Sequence, residues 1–212
     1  MNHLAHLVLA GAGDDWSRGA LLGDFWRGAV PTSWPPELRA SVRLHRRVDG
    51  FVDARLGAAR ARFEPPWRRY AGIVLDVWFD HLLALDFERL VGEPLPAFAA
   101  RVAGALAHGE PDWPLAARLY MERLARDEGA GLVAYASREH VERVYARIAQ
   151  RLARENPVAD ALDAVLPLAP ALVRDFAALW PALVAFGVEE RERLLRDEQG
   201  LAARDLGLGA RD

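Results

Sequence analysis

A chain of 212 residues is long enough to bury one sizeable core and short enough to be a single domain. With 52% hydrophobic and 27% charged residues and a mean hydropathy of −0.04, it reads as globular rather than disordered. The absence of cysteine excludes a disulfide framework and thiolate metal ligands. The formal charge of −3 argues against a nucleic-acid binder.

The opening segment, Met1 to Ala10, lacks a basic stretch, so no signal peptide is expected. Asn2 is placed to cap a short helix with Leu4, Leu7 and Val8 inward, and His3 and His6 share one face of it. A glycine and aspartate loop (11–15) leads to a second helix through Leu21, Leu22 and Phe25, expected to end near Gly28, with Asp24 set in apolar company. Pro31, Pro35 and Pro36 break the chain. Pro36 is well placed to start a long helix through Leu38, Val42, His45, Asp49 and Val52, on which His45 and Asp49, four apart, share a face.

Every basic side chain apart from histidine is arginine, because lysine is absent. From Arg39 to Arg69, nine arginines stand against Asp49, Asp53 and Glu64, a local balance of +6, so the rest of the chain carries −9. Such a region either attracts an anionic partner or forms solvated helix faces.

Pro65 and Pro66 precede a helix over Ile73 to Leu85, expected to end near Gly92. Asp76, Asp80 and His81 lie inside this apolar run, and buried charges require a partner. On a helix the two acids share a face and repel by roughly 0.2–0.5 kcal/mol, while His81 sits one step round. Carboxylate with imidazole suits manganese, magnesium, iron or zinc; the plain alternative is two solvated acids and a core histidine.

Further on, Ser137 reads as the N-cap of a helix with Val141, Val144, Tyr145, Ile148 and Leu152 as its stripe. Pro157 and Pro170 precede two more helices, the last carrying Phe176, Leu179, Trp180 and Leu183. The longest uncharged stretch, Phe176 to Val188, contains Pro181 and falls short of the roughly 20 residues of a membrane span. Beyond Gly187 a charged tail reads as a solvated helix with a frayed end. No period-two strand is evident. The expectation is an all-α, single-domain helical bundle over residues 1–187 with a charged extension over 188–212.

Taken singly, each acid or histidine has a plain structural reading: His45 with Asp49 a surface pair, Asp24 a helix cap, His6 a core histidine. Together, four such sites embedded in apolar sequence within the first 81 residues favour one metal-holding pocket.

The motifs Met1-Asn2 with Leu4-Ala5-His6, Leu21-Leu22-Gly23-Asp24-Phe25 with Gly28, His45-Arg46-Arg47-Val48-Asp49, and Leu75-Asp76-Val77-Trp78-Phe79-Asp80-His81-Leu82 resemble the bacterial acyl carrier protein phosphodiesterase family. That family is a divergent, all-helical relative of the HD-domain metal phosphohydrolases. Four motifs in order and spacing carry the resemblance, with Phe176 to Pro181 resembling the family's aromatic C-terminal helix. It departs at His3, where the family usually has an aromatic residue, and beyond Gly187. The resemblance implies hydrolysis, by metal-activated water, of the phosphodiester that joins 4'-phosphopantetheine to a serine of holo-acyl carrier protein, with manganese the preferred ion. It implies Asp24, His45, Asp80 and His81 as ligands, Asp49 or Asp76 as further ligand, base or supporting group, and His6 as supporting group or acid. Arg43, Arg46 and Arg47 would grip the acidic carrier or the phosphate. The protein is expected in the cytoplasm, with no nucleic-acid or membrane partner. The competing readings are a phosphohydrolase of small nucleotides or other phosphoesters and a non-catalytic helical binding protein.

Overall fold

A computed structural model describes residues 3–107, 110 and 112–205, the side chains of 202–205 excepted; the expected cap Asn2 and the last residues of the tail lie outside them. Among the described residues every regular element is helical, as expected. In chain order they are α1 (His3–Ala10), α2 (Asp14–Phe25), α3 (Pro36–Asp53), α4 (Gly57–Ala61), α5 (Ala71–Leu85), α6 (Phe87–Val91), α7 (Leu95–Ala105), α8 (Leu115–Arg126), α9 (Ala130–Val133), α10 (Arg138–Arg151), α11 (Ala161–Val165) and α12 (Ala169–Asp205), with short 3-10 turns between some of them.

Helix α5 has no broad polar face, and Val74, Leu75, Val77, Trp78, Phe79, Asp80, His81 and Leu83 are all buried, which makes it a core helix. Helix α1 is nearly as apolar and packs beside it, burying Leu4, Ala5, His6 and Leu7. Its first N–H groups are satisfied by a distant side chain: Leu4 and Ala5 donate to the two carboxylate oxygens of Asp80 at 2.7 and 3.2 Å. A carboxylate at a helix N-terminus also meets the positive end of the helix dipole.

Helices α2 and α3 approach very closely because the contact positions on α2 are glycines one turn apart. A Cβ on Gly19 would lie 2.8 Å from the Leu38 carbonyl oxygen, and one on Gly23 would lie 2.2 Å from Cγ of His45. The Ser41 hydroxyl donates to the Trp16 carbonyl at 2.6 Å across the same seam. This approach carries His45 against the end of α2, where Asp24 sits. Ser137 caps α10 as expected, its hydroxyl accepting the His140 N–H at 3.3 Å. Tyr145 then ties α10 to α5 by donating to the Val74 carbonyl at 2.8 Å.

The C-terminal region differs from its sequence reading. Helix α12 continues through Pro181 and past Gly187 to Asp205. Leu194 and Glu198 are buried, so the segment from 188 onward packs on α3 instead of forming a solvated extension. Its anchor is electrostatic: the Glu198 carboxylate accepts from Arg39 Nε at 2.6 Å and pairs with Arg43 Nη1 at 2.8 Å. By length and composition alone, one stretch of the described residues, Val158–Leu201, could cross a membrane; within it Leu172, Phe176, Trp180 and Leu183 are core residues here.

Candidate metal centre

Two helices bring one group of ligand atoms together. His6 comes from α1, His45 and Asp49 from α3, and one ligand atom of each lies within 4.8 Å of the others. His6 Nε2 is 3.1 Å from Asp49 Oδ1, and His45 Nε2 is 3.3 Å from Asp49 Oδ2. The two imidazoles stack with centroids 3.8 Å apart. Asp24, at the end of α2, completes the edge, with Oδ1 3.5 Å from His45 Nε2. Its Oδ2 accepts from His3 Nε2 at 2.9 Å, and His3 Nδ1 lies 2.5 Å from the Tyr120 hydroxyl.

Both stacked imidazoles are sealed, at 2% side-chain exposure, whereas Asp24 and Asp49 are 43% and 46% exposed. The carboxylates therefore form the open side of the cluster. His45 Nδ1 sits 2.7 Å from the Ala20 carbonyl oxygen, which can only accept, so Nδ1 carries the proton and Nε2 is aimed at the two acids. A carbonyl holding the outer nitrogen of an imidazole is the usual support of a metal-binding histidine. Metal–nitrogen and metal–oxygen bonds of about 2.0–2.2 Å span ligand atoms separated as these are, so the donor set fits a divalent ion.

The protonation pattern follows from the same contacts. Burial alone would lower His45, but its hydrogen bonds to Asp24 and Asp49 outweigh that and raise it to about 9. His6 is pushed down to about 4 by burial and by the positive charge of its stacked neighbour. Burial pushes Asp24 and Asp49 up, yet their histidine partners hold both well below the usual carboxylate range. Asp76 on α5 is raised by burial and further by the negative charges of Asp49 and Asp53.

The structure does not bring Asp80 and His81 into the cluster expected of them. Asp80 is fully buried, both its oxygens engaged by the N-terminus of α1, and burial pushes its carboxyl up to about 7. His81 Nδ1 donates to the Tyr135 carbonyl at 2.7 Å and its ring lies against Trp78. Within the apolar run they looked like ligands because acids and histidines in apolar sequence need partners; those partners are backbone groups. Conversely, His3 and Tyr120 join the edge of the site through Asp24. The signal for His3 was its spacing from His6 on one helical face; Tyr120 carried none.

The three arginines expected to hold substrate are engaged internally. Arg43 pairs with Glu198, Arg46 donates to the carbonyls of Gly28 and Trp26 at 2.8 and 3.0 Å, and Arg47 lies 3.7 Å from Glu190. With Arg193 and Asp197 they line a shallow groove of about 300 Å³ between α3 and α12. A larger cavity, about 730 Å³, opens on the other side of Asp24. His3, Asp24 and Tyr120 line it together with Leu124, Val144 and Ile148.

The sequence profile described as acyl carrier protein phosphodiesterase matches residues 1–183. An acyl carrier protein phosphodiesterase of Yersinia pestis is 39% identical over 131 residues, covering 58% of this chain and 68% of the relative. One from Pectobacterium atrosepticum is 42% identical over 115 residues, covering 53% and 58%, and one from Salmonella agona is 38% identical over 117 residues, covering 54% and 61%. The aligned part thus spans about two thirds or less of the length of these curated relatives. No solved structure matches the chain. The match over most of its length shows that the chain belongs to the acyl carrier protein phosphodiesterase family.

Proposed function

We propose that this protein hydrolyses the phosphodiester between 4'-phosphopantetheine and a serine of holo-acyl carrier protein, giving apo-carrier and free 4'-phosphopantetheine. The observation that carries the reading is the His6, His45 and Asp49 group with Asp24 at its open edge, in a chain of this family. These four residues would hold the ion, and oxygen-rich ligation with two imidazoles suits manganese, with magnesium, iron and zinc sharing the donor preference. A bound divalent ion supplies Lewis acidity toward a phosphoryl oxygen and lowers the pKa of water.

The protein's own groups do the remaining work. The buried imidazoles, fixed by stacking and by the Ala20 carbonyl, keep the ligand geometry rigid. The half-exposed carboxylates leave the approach side open to a phosphodiester. Asp76, its carboxyl raised by burial and further by the charges of Asp49 and Asp53, is suited to accept a proton from attacking water. Asp80 acts at one remove, by holding α1 and hence His6 in place. Histidines and aspartates converging from separate helices of an all-α fold are the feature it would share with HD-domain phosphohydrolases. The reading places the protein in the cytoplasm with an acidic protein substrate, and assigns it no nucleic-acid or membrane partner.

The test is the intact mass of purified holo-carrier after incubation with this protein. Loss of the phosphopantetheine group with manganese, abolished by chelator, is the expected result. An unchanged mass with folded, metal-loaded protein would refute the reading and turn attention to small phosphoesters.

A further inference from the structure

The cavity beside the cluster has no part in holding a metal, yet it begins at a residue that does. Asp24 faces His45 with one oxygen and His3 with the other, and both Asp24 and His3 line the cavity. From this end it runs between α8 and α10, walled by Phe25, Leu124, Val144 and Ile148, with the hydroxyl-bearing rings of Tyr120 and Tyr135 among its lining. At about 730 Å³ it lies within the range of small-ligand sites, roughly 300–1,000 Å³.

Its rim is cationic. Arg123, Arg147 and Arg151 line it and are exposed, and among the described residues none of the three lies within ion-pairing distance of a carboxylate. Asp127, the acid on this rim, accepts the Gly129 N–H at 3.1 Å. The accumulated charge is felt nearby: His140, which also lines the cavity, is held down to about 4 by burial and by Arg147, Arg143 and Arg123. The α3–α12 groove is the opposite case, because Glu190 and Glu198 pair with Arg43, Arg47 and Arg193 there. Among the described residues, three arginines without a carboxylate partner therefore border the cavity, against Arg46 alone in the groove.

We infer that the cavity between α8 and α10 seats the pantetheine arm of the substrate, and that Arg123, Arg147 and Arg151 take the acidic surface of the carrier that presents it. The inference rests on the hydrolysis proposed above. Its chemistry matches the lining: the arm is a narrow, uncharged chain with two amides and a gem-dimethyl group, needing apolar walls with a few hydrogen-bonding groups. With phosphorus at the Asp24 end, the arm extends away from the cluster into the cavity, and the serine oxygen leaves toward solvent. The retained product would be 4'-phosphopantetheine.

The experiment compares wild-type protein with Ala116→Trp, Arg147→Glu and Arg193→Glu, all manganese-loaded, by initial rates on holo-carrier. Ala116, Arg147 and Arg193 are surface or rim positions, and manganese affinity reports that each variant is folded with its cluster intact. The tryptophan, filling the cavity, should raise KM about tenfold, the worth of two buried methyl groups. Arg147→Glu should raise KM and flatten its salt dependence. Arg193→Glu should leave KM unchanged. Phosphate-free pantetheine should inhibit the wild type competitively and lose that effect in Ala116→Trp. Cleavage by wild type with an unchanged KM in both cavity variants overturns the inference alone, as does a raised KM confined to Arg193→Glu. No cleavage by wild type overturns the proposed function itself.

Discussion

Metal binding should release one proton at neutral pH, and His45 is its source. In the metal-free cluster the proton on Nε2 of His45 lies between Asp24 Oδ1 at 3.5 Å and Asp49 Oδ2 at 3.3 Å, where a cation would otherwise sit. With His45 raised to about 9, roughly one molecule in 100 is deprotonated there at pH 7, so affinity is about 100-fold below its high-pH plateau, or about 2.7 kcal/mol. His6, held down to about 4, is already neutral, and Asp24 and Asp49 are already ionised, so no second proton is expected. Titration calorimetry with manganese at pH 7, in buffers of different ionisation heat, reads the proton count as a slope. The expected value is about 1.0, with affinity rising about tenfold per pH unit up to pH 9. An unperturbed histidine near 6.5 would release only about a quarter of a proton. A slope that small would refute the claim that Asp24 and Asp49 jointly hold the His45 proton. The same shift stabilises the metal-free fold below pH 6.5. That contribution, at most about 3 kcal/mol, is lost as pH rises from 6.5 to 9, and the loss should be visible as a falling Tm.

Three further predictions test how the fold builds the site. Gly23→Ala would put a methyl group 2.2 Å from the His45 ring, so it should cost about 1–3 kcal/mol and weaken metal binding; wild-type values by urea melt and calorimetry would contradict the close α2–α3 seam. Asp80→Asn leaves one of the two buried N–H groups of α1 without an acceptor, so the metal-free protein should lose about 1–3 kcal/mol in denaturant. Unchanged stability with abolished metal binding would instead make Asp80 a ligand. Removing residues 188–212 strips the buried Glu198 from the buried Arg39 and should destabilise by about 3–5 kcal/mol; a truncated protein melting like the full chain would restore the view of a solvated extension.

Much of the local architecture was legible in the residues. The apolar periods, the Pro36 start of α3 and the Ser137 cap of α10 depend on neighbours within a turn, and the structure realises each of them. The sharing of one face by His45 and Asp49 follows from helical geometry and needs no tertiary information. The need of Asp80 and His81 for partners was equally readable, since burial of a polar group is costly wherever it happens. Which partners they take was not. The N–H groups of Leu4 and Ala5 come from 75 or 76 residues away, and a carboxylate capping a distant helix has the same sequence signature as one binding a metal. Likewise Arg43 and Arg47 looked free for substrate until α12 brought Glu198 and Glu190 to them, while the cavity beside Arg147 and Arg151 exists only because α8 packs across from α10. Sequence alone settled helices such as α3, α5 and α10 and which of their side chains had to be satisfied, because propensity and burial are local. The tertiary structure decided which partner satisfies each, because that depends on which helices the core brings within 3 Å of one another.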